Sequence, residues 1–262
     1  MKTAPVVVEK FPFIEAGRRV IMESMNIKGS LVIACLAPFL SLSAQETVEK
    51  VEPLLSLKAG DSWEYQVTIA APRGAKMPEG KDAEIKQTAD GVEATFTKTR
   101  IYEGKKVPKE GTTAYDCFRI ERASQIEERE FSEVRPDAIY ARGWKKEGEK
   151  PGAVVLLKKP LLMIAAVNQG GDKWEIKSGD GKTTPKFNRR FRVFGYEKVT
   201  VPAGEFNALR VEVTGDSGIT EIKRTYWFAK GVGFVKEVKT YYSKTTRLLH
   251  QEMVLTKRGK SE

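Results

Sequence analysis

Residues 60–69 read Gly60-Asp61-Ser62-Trp63-Glu64-Tyr65-Gln66-Val67-Thr68-Ile69. From Trp63 onward every second side chain is apolar, the period of a half-buried β-strand. Gly60-Asp61 in front of it is turn chemistry. The same arrangement returns 111 residues later as Gly171-Asp172-Lys173-Trp174-Glu175-Ile176. Pro53-Leu54-Leu55 precedes the first copy, and Pro160-Leu161-Leu162 precedes the second. Two further pairs follow in the same order. Val107-Pro108 with Phe118-Arg119-Ile120-Glu121 matches Val201-Pro202 with Leu209-Arg210-Val211-Glu212, and Tyr140-Ala141-Arg142-Gly143 matches Phe228-Ala229-Lys230-Gly231. Ordered recurrence of this kind predicts a tandem duplication. The offsets shrink from 111 to 94 to 88, which places extra loop sequence in the first half, around residues 70–90 and 109–116.

The rest of the chain repeats these β signals. Val92, Ala94 and Phe96 alternate with polar neighbours, and Phe206, Leu209, Val211 and Val213 do so with a one-residue slip that fits a bulge. Tyr226, Phe228, Val232, Phe234, Val238 and Tyr241 extend the pattern. Turn chemistry separates the runs at Ala89-Asp90-Gly91, Gly179-Asp180-Gly181 and Gly215-Asp216-Ser217-Gly218. The charged stretch 119–134 looks weakly helical alone, yet it aligns with Val211–Arg224 and is predicted to be a hairpin. Residues 154–167 fit either a buried strand or a short helix. The predicted fold class is all-β with minor helix. It consists of two tandem related antiparallel β units, residues 45–152 and 153–262, forming strongly curved, half-barrel-like sheets.

Composition narrows the classes. With 262 residues, 40% hydrophobic and 31% charged, the chain is long enough to bury a core and too apolar to be disordered. It has one histidine, His250, and two cysteines, Cys35 and Cys117, which exclude zinc fingers, His-rich metal sites and disulfide-stapled scaffolds. Residues 25–44 have the layout of a secretory signal peptide: Lys28, then a 12-residue apolar stretch from Leu31 to Leu42, then small residues ending at Ala44. That stretch is shorter than the roughly 20 residues a membrane span needs. Cleavage is expected near Ala44, leaving a periplasmic or secreted protein. Val32-Ile33-Ala34-Cys35 resembles a lipobox, but from a start at Met25 only ten residues precede Cys35 and apolar sequence continues beyond it, so a lipid anchor there is the lesser alternative. Residues 1–24 carry Glu9, Glu15 and Glu23 and do not suit a signal peptide. They are expected to be a disordered extension upstream of a true start at Met25.

Removal of residues 1–44 takes away five basic and three acidic side chains, so the net charge falls from +10 to +8. Only Cys117 remains, with no internal disulfide open to it, and it reads as a small buried hydrophobe.

Motifs for chemistry fail on their own requirements. Gly215-Asp216-Ser217-Gly218 resembles the nucleophile segment of chymotrypsin-like proteases, which need a histidine base before the serine; His250 follows it. Gly181-Lys182-Thr183 resembles the end of a P-loop, but the first glycine of that motif falls at Ile176. Glu127, Glu128 and Glu130 around Arg129 read as a solvated strand face. No catalytic, metal or cofactor site is predicted. Trp63, Tyr65, Trp144, Trp174, Tyr226, Trp227, Tyr241 and Tyr242 are candidates for a ligand-facing sheet surface. Trp63 and Trp174 read first as core anchors, while Trp144 and Trp227 stay open between the two roles.

The stretches Pro53–Tyr65, Val199–Glu212 and Tyr226–Lys236 resemble a group of exported bacterial proteins, the TapB-like and domain-of-unknown-function β-proteins. The resemblance is strong over residues 196–240 and moderate over 53–67. It implies a strongly bent antiparallel sheet, as in the LolA- and LolB-like half-barrels that carry lipoproteins, and it implies no activity. The expected function is that of a non-catalytic envelope protein accepting an apolar or amphipathic ligand on a concave sheet. The alternatives are a scaffold module that binds an envelope protein or anionic polysaccharide, and, behind both, a carboxylate-dependent hydrolase. The expected partners are a lipid, a lipoprotein or an envelope polymer. Nucleic acid is not expected, and any membrane contact is peripheral. Mass spectrometry of the exported protein is expected to give a chain beginning at Gln45. A peptide from residues 1–24 would overturn the start at Met25, and lipid on Cys35 would overturn cleavage near Ala44.

Overall fold

The computed structural model describes residues 53–77, 82–147, 152–166, 168–178, 187–216 and 220–261. The predicted signal peptide, the 1–24 extension, Cys35, the Gly179–Thr183 stretch and Ser217-Gly218 lie outside them. The described residues form thirteen strands: β1 (Ser62–Ala71), β2 (Glu84–Thr88), β3 (Gly91–Lys106), β4 (Tyr115–Arg122), β5 (Gln125–Val134), β6 (Ala138–Lys146), β7 (Val155–Ala165), β8 (Lys173–Ser178), β9 (Phe187–Val201), β10 (Gly204–Asp216), β11 (Glu221–Ala229), β12 (Gly233–Ser243) and β13 (Thr246–Gly259). None of the described residues is helical, so the minor helix expected from sequence is replaced by strand. The ambiguous 154–167 run is β7, whose backbone pairs with β6. The 119–134 hairpin is β4–β5, turning at Ala123 and Ser124.

All thirteen strands share one antiparallel sheet in the order β7-β6-β5-β4-β3-β1-β13-β12-β11-β10-β9-β8, with β2 on the flank of β3. The sheet is not closed, because its ends β7 and β8 do not pair. Register shifts interrupt most of the ladders, for instance at Glu64/Tyr65, Phe131/Ser132 and Arg210/Val211. Each such bulge bends its strand and adds right-handed twist.

The two Gly-Asp turns have the same hydrogen bonds. Gly60 N–H donates to Tyr102 O (2.8 Å), and Tyr102 N–H donates to Asp61 O (2.9 Å). Gly171 N–H donates to Val193 O (2.9 Å), and Val193 N–H donates to Asp172 O (2.9 Å). Each aspartate also accepts on its carboxylate from a backbone N–H three residues earlier, Lys58 or Gln169. Gly60 and Gly171 sit at φ of +97° and +100°, where a side chain is strained. The Val-Pro corners likewise match, connecting β3 to β4 and β9 to β10. The third motif pair differs: Tyr140–Gly143 lies inside β6, whereas Phe228–Gly231 ends β11 and opens its turn.

The inner face of the sheet is packed on itself. Trp63, Phe118, Tyr226, Phe228, Leu161 and Ile164 are almost fully buried in one cluster drawn from both halves. Trp63 Nε1–H donates to Val232 O (2.6 Å), and Tyr226 O–H donates to Met163 O (2.7 Å), which ties β11 to edge strand β7. Leu54 bridges two turns, donating to Pro136 O and accepting from Gly231 N–H. Cys117 is buried as expected, its thiol pushed up to about 12 by burial and by Glu103.

An ion-paired group lies inside this core. Glu237 on β12 accepts from Arg224 Nε–H (2.9 Å) and Nη2–H, with Lys239 Nζ 2.8 Å away. Burial alone would raise its carboxyl, but Arg224 and Lys239 hold it down at about 2. Its ordinary value is about 4.3. A carboxyl depressed in the folded state contributes stability above its unfolded value and loses it as pH falls through the folded one. Glu237→Gln is therefore expected to cost roughly 3–5 kcal/mol, since it removes the carboxylate that Arg224 and Lys239 share. In urea unfolding the variant is also expected to lose less stability than the wild type between about pH 5 and pH 2; parallel curves would refute the assignment.

Candidate functional site

The aromatic residues singled out from sequence divide between the two faces of the sheet. Trp63, Tyr65 and Tyr226 are buried on the inner face, and each polar atom holds a backbone carbonyl; Tyr65 O–H donates to Phe234 O (3.0 Å). Burial raises both phenols well above their ordinary value. Trp144 is buried in β6. Trp174 is half-buried and stacks on Phe191, with centroids 4.8 Å apart and planes 9° apart. Tyr241 and Tyr242 are half-buried in β12, Tyr242 with Lys223 Nζ 5.3 Å from its ring. Trp227 is half-buried among charged neighbours on the outer face.

Trp227 belongs to a row of cations and rings that crosses five strands. Register places Lys236 opposite Trp227, Trp227 opposite Arg210, Arg210 opposite Gly195, and Arg192 opposite Lys173. Residues opposite one another on neighbouring strands share a face. Phe194 occupies the bulge between Val193 and Gly195 and is 39% exposed. The guanidinium carbons of Arg192 and Arg210 each lie 4.6 Å from its ring centroid. Lys236 Nζ lies 5.6 Å from the ring of Trp227, whose Nε1–H donates to Glu197 Oε1 (2.6 Å). Such contacts align the cations and fix the rings.

The acids near this row are already engaged. Glu212 pairs with Arg210, Glu252 with Lys236 (2.7 Å), Glu205 with Lys198 (2.9 Å) and Glu175 with Lys177 (3.2 Å). Lys173, Arg190 and Arg192 form no ion pair with a described residue. These three cations line an open recess of about 560 Å³ at the β8 edge together with the acids Glu175 and Glu212. Sequence reasoning missed the row because its members lie far apart in the chain and meet only through strand register. The available signal was the Arg189-Arg190-Phe191-Arg192-Val193-Phe194 run, with basic side chains beside aromatic ones.

The carboxylates of β5 are not a solvated face, as sequence suggested. Glu127 pairs with Lys98 (2.5 Å) and Glu130 with Arg100 (3.1 Å). Glu128 is half-buried, its carboxyl pushed up to about 7 by burial and by Glu130. Arg129 pairs with Glu103 (2.9 Å) and Glu147 (2.5 Å). The cause is that the coiled sheet covers part of the inner face of β5, which alternation alone does not reveal. His250 on β13 has Thr240 Oγ1 2.9 Å from its Nδ1. Among the described residues no His, Cys, Asp and Glu set is grouped to hold a metal ion.

Residues 172–252 match the DUF3108-like family model, a span that contains the whole row from Lys173 to Lys236. No curated protein matches the chain. Two solved structures are similar to it. One, from Bacteroides fragilis, is assigned as an exported protein with a YmcC-like fold. It shares 13% identity over 80% of this chain and 100% of its own, with a TM-score of 0.44. The other, from Parabacteroides distasonis, is assigned as a lipoprotein and shares 12% identity over 80% of this chain and 98% of its own, with a TM-score of 0.40.

Proposed function

We propose that this chain is an exported, non-catalytic envelope protein that binds its partner through the outer face of β8–β12. The segment 25–44 supports export. The observation that carries the binding surface is the row itself: Phe194, more than a third exposed, props Arg192 and Arg210 beside the unpaired Lys173 and Arg190. Exposed cations held in place by rings recognise an anionic partner without first having to order their side chains.

The concave face suits an amphipathic ligand less well. Entry there would displace the Trp63–Val232 and Tyr226–Met163 hydrogen bonds together with the aromatic cluster around them. A scaffold or adhesion role at the outer face requires no such opening.

The test is retention of the exported protein on isolated envelope. Reversal of two charges in Lys173→Glu/Arg192→Glu is expected to release the protein, as is salt above roughly 0.1 M, which screens exposed charges. Unfolding midpoints check that the variant is folded. Equal retention of wild type and folded variant would overturn the outer-face reading.

A further inference from the structure

The two halves of the sheet supply an internal comparison for the outer-face row. The matching bonds of the Gly-Asp turns make Tyr102 of β3 equivalent to Val193 of β9. Counting on by one, Glu103 is equivalent to Phe194; counting on by two, Gly104 (φ +82°) is equivalent to Gly195 (φ +107°), and both glycines lie at register shifts. On the next strand Arg119 corresponds to Arg210. Each pairs with a glutamate two residues along, Glu121 or Glu212. The turn, the bulge glycine and the arginine–glutamate pair therefore recur in both halves, but the register does not: Arg119 lies opposite Ile101, whereas Arg210 lies opposite Gly195, the equivalent of Gly104.

What differs is the charge. In the first half Glu103 is a nearly buried carboxylate that binds Arg119 (3.0 Å), Arg129 (2.9 Å) and Lys106 (3.0 Å). Three cations are neutralised within the protein. In the second half Phe194 stands in place of that carboxylate. The cross-strand pair Ser62–Ile101 becomes Lys173–Arg192, and Thr99 becomes Arg190. Like charges directly opposite one another on a sheet are destabilising. The second half thus replaces an acid with a ring and places Lys173, Arg190 and Arg192 where the first half has neutral residues, while Lys105 and Lys106 give way to Tyr196 and Glu197; the cost of the opposed Lys173 and Arg192 is what an external anion would relieve.

We infer that this row is a binding site for an acidic saccharide chain, an inference that rests on the outer-face reading above and names its ligand. Three features select that class. At about 4.8 Å per strand spacing, the row from Lys173 to Lys236 extends about 19 Å across the sheet face, the length of a site for a polymer. Apart from the outer edge of β8, which ends the sheet, it lies on a face whose backbone groups are already paired with neighbouring strands, so a peptide cannot add along the row by strand pairing. Recognition along the row falls to side chains. The rings of Phe194 and Trp227 offer apolar surface to the C–H faces of sugars, and Arg190, Arg192 and Lys173 offer donors to carboxylate or phosphate substituents.

The test is calorimetric titration of the mature protein at low salt with three probes: an oligogalacturonate, neutral maltoheptaose and polyglutamate. The oligogalacturonate is expected to bind, at least tenfold more tightly than either of the others. Arg192→Ala and Phe194→Ala are each expected to weaken it at least tenfold with unchanged unfolding midpoints. Phe194→Glu, which installs the residue of the other half, is expected to abolish binding. Equal binding of polyglutamate would reduce the site to a plain charge patch, and equal binding of maltoheptaose would remove the role of charge; either overturns the inference. Absence of oligogalacturonate binding also overturns it. If the charge-reversed protein still leaves the envelope in that case, the outer-face reading survives and only the saccharide falls.

Discussion

The ladder between β1 and β13 holds this architecture together. Strands β3 to β7 and strands β8 to β12 each run as a meander of neighbours, which local hairpins can build. Only the pairing of Ser62–Ala70 with Gly259–His250 joins the two into one sheet. It brings residues almost 200 positions apart into register, so its closure entropy must be met before any contact repays it. The core is arranged around that seam. Trp63 and Tyr65 of β1 reach the carbonyls of Val232 and Phe234 across β13, and Asp61 accepts from Ser261 N–H at 3.1 Å. Once the seam forms, the inner faces of both meanders meet and bury their aromatic side chains together.

That arrangement determines where recognition can occur. A sheet that coils until β7 touches the inner face of β11 uses its concave surface for stability. Polar atoms at the centre of that face are paired within the protein: Tyr226 with Met163, and Glu237 with Arg224. Buried groups of this kind are costly to disturb. The outer face carries no such obligation, and there side chains can be arranged at little cost to the fold. The row from Lys173 to Lys236 therefore lies on the one surface free to vary in charge.

How much of this was legible in the sequence depended on the range of each signal. Alternation marked β1, β3 and β10 because the period-2 pattern is local. The Gly-Asp and Val-Pro pairs marked equivalent turns because turn chemistry needs only a few adjacent residues. Trp63 was recognisable as a core anchor for the same reason. Glu127, Glu128 and Glu130 were misread because their partners Lys98 and Arg100 come from another strand, and alternating charge looks the same whether a sheet covers it or water does. The outer row was invisible for a related reason: Trp227, Arg210, Phe194 and Lys173 become neighbours only when three registers are known. The bulge at Phe194 compounds this, since one extra residue moves a side chain away from the face that alternation assigns to it.

The substitution of Phe194 for the position held by Glu103 shows how such a sheet can acquire a surface without changing its fold. Both residues sit at the same bulge, next to a positive-φ glycine and beside an arginine from the adjoining strand. With a carboxylate there, the neighbouring cations form a closed network and the surface is electrostatically quiet. With a ring there, Arg210 holds a cation–π contact and still pairs with Glu212 and Glu197, while Arg192 stays exposed beside the same ring. That position therefore sets whether its cationic neighbours share a carboxylate or stack on a ring. The backbone hydrogen bonds on which stability rests are untouched in either case.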